Sequence, residues 1–317
     1  MRALIYEGKG KVSFTDKLAV REPGEGEVLV RIVASGICHS DISVIDGTID
    51  WPAPAVLGHE GAGIVEQVGP NVTSLAPGDH VALHTLAYCG HCAHCESGHP
   101  TRCRETLGNR SEPFSLDGKP VSNFAATSTF AEYTVVKHQQ AVKIAPDIPL
   151  DIACVIGCGV LTGVGSVINR AKVAPGDTAA VFGVGGVGLN VVQGLRLAGA
   201  SRIVAVDLMA SREENARRFG ATDFIDASSE DAPARIRDLL ADPLKPQTGG
   251  ADWTFECAAS VAALKNAIAS LAWGGNCVIV GMPSFDSTVE IPVFPLLSVD
   301  RGVLGALLGD DDVAGRT

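Results

Sequence analysis

Two patterns in this 317-residue sequence predict an α/β protein of two domains. Short β-rich runs broken by Gly, Pro and Asp fill the first half, and strand and helix alternate through the second. The first pattern makes a mostly β domain over 1–158. The second makes a doubly wound parallel sheet over 159–306, leaving 307–317 as an acidic tail. With 46% hydrophobic and 19% charged residues, a chain of this length buries a sizeable core, in two domains more readily than in one.

The formal charge of -11 repels a phosphate backbone, and no Lys/Arg-rich run offsets it locally, so neither nucleic acid nor a membrane surface is an expected partner. The opening "MRALIYEGKGKV" lacks the apolar core of a secretion signal, and the apolar stretch "AAVFGVGGVGLNVVQG" is broken by glycines short of a membrane span. The expected address is cytoplasmic. In such a reducing compartment, nine cysteines with a tight cluster read as metal ligation before disulfides.

The first domain's strands are "EVLVRIVASG", "AGIVEQVG", "DHVAL" and "FAEYTVV". Between them, "YCGHCAHCESGHPTRC" places Cys89, Cys92, Cys95 and Cys103 in a C-x2-C-x2-C-x7-C spacing that wraps a tetrahedral ion in short loops. Four thiolates leave no vacancy, so this lobe is a structural zinc site rather than a centre that activates an oxygen. His91, His94 and His99 are then solvated loop residues, and a DNA-reading finger is disfavoured by an acidic chain whose only local cations are Arg102, Arg104 and Arg110.

An open metal site has to come from elsewhere. "GICHSD" offers Cys38, "GHEGAG" offers His59, and "IGCGVLTG" offers Cys158 among glycines that permit close backbone approach. Alone, each has a bland reading as a small core thiol or an ordinary histidine. Their joint occurrence with a closed lobe makes them candidates together.

The second domain opens with a βαβ unit. The run Ala179 to Phe182 is a strand, Gly183, Gly185 and Gly188 follow in G-x-G-x-x-G spacing with Gly186 inside the loop, and a helix and the strand "RIVAV" lead to Asp207. The glycines allow a tight turn and close pyrophosphate approach, and the helix N-terminus favours the anion. Asp207 suits a ribose diol and repels a 2′-phosphate, so NAD is favoured over NADP. Arg212 is either a contact on the adenosine side or a solvated helix arginine. The pattern continues with "SREENARRFGA" as a helix, "TDFID" as a strand, "APARIRDLLAD" as a helix, "ADWTFECA" as a strand, "VAALKNAIASLAW" as a helix and "NCVIVGMP" as a strand.

Taken together, "GICHSD", "GHEGAG", the four-cysteine lobe, "STFAEYTVV", "IGCGVLTGVGS", "VFGVGGVG", "FEC" and "VIVGMP" resemble, in order and spacing, the zinc-containing medium-chain alcohol dehydrogenase family. The likeness is greatest to the class III branch of glutathione-dependent formaldehyde dehydrogenases and their bacterial relatives. It implies a GroES-like catalytic domain followed by a Rossmann NAD-binding domain. It also implies two Zn2+ per chain: a catalytic ion on Cys38, His59 and Cys158, and a structural one on the lobe. Asp41 would orient His59, Glu60 would stand behind the ion, and Ser40 would touch the alcohol and pass its proton on. Ser43 stands where the liver enzymes end that relay with a histidine, so the last step would run through water. His39 would meet the pyrophosphate, and Thr162, Val187, Gly281 and Met282 would line the nicotinamide. Thr85, where liver-type enzymes carry phenylalanine, implies a roomier pocket.

The implied reaction is hydride transfer between a primary or secondary alcohol and NAD, giving an aldehyde or ketone. The alternatives are dehydrogenation of an S-(hydroxymethyl)thiol adduct of formaldehyde, or a truncated, inactive relative that keeps zinc and NAD binding. The arginine that anchors the glutathionyl carboxylate in the formaldehyde enzymes falls at Leu107, with Arg110 only a near neighbour, so glutathione dependence is not implied. The resemblance further implies a homodimer or homotetramer, and a return of the chain to the first domain that 307–317 only begins. The expectation from that last point is unpaired strand edges and weakened NAD binding.

Overall fold

A computed structural model describes residues 1–106, 108–241 and 249–310, in two units that succeed one another between Gly159 and Val160. The expected arginine position at Leu107 lies outside the described residues, as does most of the acidic tail.

The first unit is built from two sheets. One has the order β2-β1-β5-β9-β8-β3, from β1 (Ala3–Gly8), β2 (Lys11–Thr15), β3 (Ala19–Val20), β5 (Ala55–Val56), β8 (Phe114–Leu116) and β9 (Lys119–Asn123). The other has the order β10-β4-β6-β7-β11, from β4 (Glu27–Gly36), β6 (Glu60–Val68), β7 (His80–Leu83), β10 (Tyr133–Lys137) and β11 (Ala141–Lys143). Inward valines such as Val28, Val30, Val65, Val81 and Val136 close its core, as period-two alternation requires of a half-buried strand. Three short helices, α1 (His39–Asp46), α2 (Ala93–Glu96) and α3 (Leu150–Ala153), connect the strands.

The helical run Leu150–Ala171 is the one element long and apolar enough to cross a membrane among the described residues, yet 44% of its apolar 18-residue stretch is buried inside the chain. It is more apolar than the glycine loop that sequence reading singles out. Its burial follows from its task, because α3 packs on β4 and β6 and the π-helical stretch Ile156–Val160 carries Cys158. Wide turns of this kind re-aim a side chain out of the regular helical register.

The second unit begins with α4 (Leu161–Gly165) and holds a six-stranded parallel sheet of order β14-β13-β12-β15-β16-β17. Its strands are β12 (Thr178–Phe182), β13 (Arg202–Asp207), β14 (Asp223–Asp226), β15 (Ala251–Glu256), β16 (Leu271–Ile279) and β17 (Gly302–Gly305). Helices α5 (Gly186–Ala198), α6 (Glu213–Phe219), α7 (Ala232–Leu239), α8 (Val261–Ala269) and α9 (Val293–Ser298) complete the doubly wound pattern. Buried residues of β12 and β13 alternate between the two faces, Ala179 and Val181 on one, Ala180 and Phe182 on the other.

One element differs from its sequence reading. The helix expected through "SLAW" stops at Ala269, and Leu271 begins a nine-residue strand. Ser270 ends the helix by turning its hydroxyl back to the Asn266 carbonyl, and Leu271 then pairs with Ala251. Trp273 consequently sits exposed on a strand, whereas helical periodicity predicts it on a helix.

Candidate functional site

Register explains how Cys38 and His59, twenty-one residues apart, come together. Strands β4 and β6 pair antiparallel with Gly36 opposite Glu60, so Cys38, just beyond one strand, faces His59, just before the other. Cys38 is also the residue that starts α1, and Asp41 three positions on accepts its backbone N–H at 3.0 Å in a capping box. The same carboxylate accepts the Gly58 N–H at 2.9 Å and meets His59 Nδ1 at 3.2 Å. Completely buried, Asp41 thus ties both donor segments to one point.

Cys158 arrives from the π-helical stretch. A side chain on Gly157 would collide with the Leu83 carbonyl at the end of β7, so only glycine lets the stretch lie this close. Gly159 then donates its N–H to Glu60 Oε1 at 3.2 Å. With those two anchors the ligand atoms of Cys38, His59 and Cys158 lie within 4.8 Å of one another, half-buried to buried. Ser40 Oγ is 3.8 Å from Cys38 Sγ, Ser43 is buried one turn further along α1, and His39 is exposed at its start.

Cys89, Cys92, Cys95 and Cys103 form a second convergence within the same limit. The Cys92–Cys95 and Cys89–Cys95 sulfur separations, 3.5 and 4.0 Å, bracket the edge of about 3.8 Å expected of a tetrahedron with Zn–S bonds of about 2.3 Å. His91 is exposed and turns Nδ1 to the Cys89 carbonyl, while His94 and His99 are half-buried.

In the second unit Gly183 takes a left-handed φ of 87°, and a side chain on Gly188 would strike the Gly183 carbonyl. Turn and helix therefore touch backbone to backbone, the close approach that the glycine spacing predicts. Asp207 already accepts the Val184 N–H at 2.9 Å through one oxygen and the Met209 N–H at 3.0 Å through the other. Arg212 neither floats free nor stands apart: its Nε is 3.7 Å from Asp207 Oδ1, and its guanidinium lies over Gly185. Gly186 opens α5 with the half-buried Val187, Thr162 is buried on α4, Gly281 donates its N–H to the Glu256 carbonyl, and Met282 is exposed.

Comparison with known proteins bears on this arrangement directly. The alcohol dehydrogenase GroES-like domain matches residues 24–147 and the zinc-binding dehydrogenase family matches 186–315. An Escherichia coli S-(hydroxymethyl)glutathione dehydrogenase is 43% identical over 309 residues, covering 94% of this chain and 82% of its own length. The chain belongs to the zinc-containing medium-chain alcohol dehydrogenase family. Among solved structures, benzyl alcohol dehydrogenase from Acinetobacter calcoaceticus has a TM-score of 0.89 at 36% identity, over 98% of this chain and 85% of that one. A zinc-binding dehydrogenase from Sinorhizobium meliloti, bound to NADP, has a TM-score of 0.80 at 28% identity, over 99% of this chain and 88% of that one.

The donor set of this chain fits zinc in its chemistry. Two soft sulfurs and an imidazole share a pocket with the Asp41 and Glu60 carboxylates. Donation from the Cys158 thiol, with help from His59 and against burial, holds the Cys38 thiol down to about 3. The Cys38 thiolate and burial in turn push Cys158 well up. Burial pulls His59 down, but Asp41 and Cys38 outweigh it and carry the imidazole up to about 10. Burial, then the Cys38 thiolate, raises Glu60. A dication would displace the thiol and imidazolium protons and satisfy every one of these groups at once.

Sequence reasoning overlooks one part of the site. Phe124 packs its ring T-shaped against His59 at 5.6 Å, and Trp51 packs T-shaped against Phe124 at 5.0 Å. No periodicity marks either residue as belonging to the site, since Phe124 comes from a connection that only the fold brings to the imidazole and Trp51 from another that packs on Phe124.

Proposed function

We propose that this dehydrogenase transfers hydride between a primary or secondary alcohol and NAD, forming the aldehyde or ketone. The observation that carries the reading is the convergence of Cys38, His59 and Cys158 on one point, backed by Asp41 and Glu60. These three residues would hold a catalytic zinc, and Cys89, Cys92, Cys95 and Cys103 a structural one. When bound, the catalytic zinc supplies Lewis acidity toward the alcohol oxygen and NAD supplies the hydride acceptor.

The chain's own residues do the rest. Asp41 keeps His59 in the tautomer whose Nε2 is free to ligate and holds Cys38 by its backbone. Ser40, beside Cys38, accepts the alcohol proton as it gives up its own toward the ribose. Ser43 is buried on the same helix, so a relay that ends through water leaves by another route. Asp207, its oxygens already aimed by two backbone amides, receives the ribose diol, with Arg212 steadying it and His39 reserved for the pyrophosphate. Gly183, Gly185, Gly186 and Gly188 cradle the phosphates, while Thr162, Val187, Gly281 and Met282 take the nicotinamide half. The reading includes a cytoplasmic homodimer or homotetramer, which the exposed Phe285, Val293, Phe294 and Leu297 of the second unit favour as interface residues.

A second reading is oxidation of an S-(hydroxymethyl)thiol, favoured by the 43% identity to an enzyme of that name. Steady-state assay of zinc-replete protein with NAD and with NADP tests both. Turnover of simple alcohols with NAD alone is the expected result. Strict dependence on glutathione or another low-molecular-weight thiol would replace the first reading with the second, and two zincs without NADH from either an alcohol or a thiol adduct would overturn both.

A further inference from the structure

A single hydrogen bond fixes one nitrogen of an imidazole but not the plane of the ring. Asp41 bonds Nδ1 of His59 and the Cys38 thiol bonds the imidazole as well, contacts that leave the ring free to turn about the line joining them, so the plane needs a further constraint. Phe124 stands T-shaped to the imidazole with an interplanar angle of 73° and centroids 5.6 Å apart. It is buried among Tyr6, Val44, Ile49 and Leu57, and Trp51 packs against it at 5.0 Å and 87°. The guanidinium of Arg110 in turn lies 5.5 Å over the Trp51 ring.

The backbone after Phe124 shows how firmly that ring is placed. Ala125, Ala126 and Ser128 all take left-handed φ values of 50–58°, which residues with a side chain rarely adopt. The turn survives because its groups are tied down one by one. Ser128 Oγ accepts the Phe124 N–H at 2.8 Å, Gln140 donates to the Ala126 carbonyl at 3.1 Å, and Thr134 donates to the Thr127 carbonyl at 2.5 Å. Backbone strain maintained by so many partners marks a position that the fold is built to hold. Trp51 Nε1 is buried with no hydrogen-bond partner among the described residues, so this indole contributes bulk and a ring face at the expense of its N–H.

We propose that Phe124, backed by Trp51, is a positioning residue that sets the plane of His59 so that its free nitrogen faces Cys38 and Cys158. The inference rests on the reading that these three donors hold zinc. Its test uses full-length protein loaded with zinc, and separately with Co2+, in the wild type and in Phe124→Leu and Phe124→Tyr. A chromophoric chelator reports the release of each metal, and the visible absorption of the Co2+ protein reports the geometry of the donors.

Wild type should release its two metals in two phases. Phe124→Leu should speed one phase about tenfold and shift the Co2+ bands, Phe124→Tyr should restore both, and the lobe phase should not move. Should Phe124→Leu fail to fold, Trp51→Leu, one ring further from the imidazole, should speed the same phase by a smaller factor. Release and spectrum unchanged in Phe124→Leu, or a tyrosine variant as fast as the leucine one, would overturn the proposal. Wild-type protein that binds a single metal, at the lobe, would overturn the zinc reading itself and this inference with it.

Discussion

The four-cysteine lobe and the three-donor site gather soft ligands around a point by opposite means. In the lobe every sulfur comes from one stretch of fifteen residues, and the regular structure there is one short helix, α2, and a turn at Pro100–Arg102. At the other site the donors come from the end of β4, the start of β6 and a π-helical stretch near residue 158, each clamped by a buried partner. A closed site can be written into local spacing, because four ligands on one flexible segment wrap an ion without help. A site with room for a substrate oxygen must be held by its surroundings, and three separate supports do that where one loop cannot.

Removing a donor is the strongest way to break this contrast. His59→Ala or Cys158→Ala should lower kcat/KM on the order of 10⁴-fold and reduce the metal content from two to one, with little change in Tm. Cys95→Ala in the lobe should instead depress Tm and soluble yield, since a structural zinc contributes folding energy directly. Elemental analysis and calorimetry on the same samples decide the matter. Equal losses of Tm in both sets would erase the distinction between a brace and a reactive centre.

The same contrast governs what could be seen in the sequence. The lobe was legible outright, because C-x2-C-x2-C-x7-C is a local pattern and its geometry follows from it. The glycine loop was legible for the same reason, since strand, turn, helix and Asp207 stand in one continuous segment. Cys38, His59 and Cys158 are weak candidates singly and gain weight only from their joint occurrence with the lobe and from motif order, because the register that joins them is set by the pairing of β4 with β6. Phe124 and Trp51 were invisible, for apolar residues in connections look alike until the fold shows what they touch. The overlong reading of α8 has a related cause: "SLAW" continues a helical stripe, and only pairing of Leu271 with Ala251 makes it a strand.

His84 lies at the joint between the two regions, on the path from β7 to Cys89, and acid should loosen that joint. Its Nε2–H donates to the Gln139 carbonyl at 2.9 Å, and Nδ1 accepts the Leu86 N–H at 3.2 Å, so the folded protein requires the neutral ring. Burial pulls it from 6.5 down to about 4. The folded state thus binds fewer protons than the unfolded one between those values. The contribution of His84 is present above pH 6.5 and is lost as pH falls toward 4, by up to about 3 kcal/mol. Urea midpoints measured from pH 7 to pH 4 should fall more steeply for wild type than for His84→Gln. Parallel curves would show that this histidine does not hold the joint.

Asp41→Asn sharpens the comparison at a smaller scale. The carboxylate receives three donors, from Cys38, Gly58 and His59, whereas an amide has one acceptor oxygen and would turn an N–H toward one of them. Affinity for the metal at the three-donor site should fall about 10–100-fold, with affinity at the lobe unchanged. Chelator competition resolves the two sites, and a loss shared by both would mean that Asp41 supports the whole unit and not the donors alone.

The smallest effect is expected at Cys154, and its smallness is informative. Cys154 is as buried as Cys158 and lies four residues before it on the same helical run, yet its thiol donates to the Asp151 carbonyl at 3.2 Å and stands outside the donor set. Burial there raises its thiol, as expected of a cysteine that acts as a small apolar side chain. Cys154→Ala should therefore cost about 1 kcal/mol of stability, keep two metals and leave kcat/KM within about twofold of wild type. Loss of a metal in this variant would mean that the π-helical stretch can present either thiol, in which case the precise aim given to Cys158 by Gly157 and Gly159 would not be what selects the ligand.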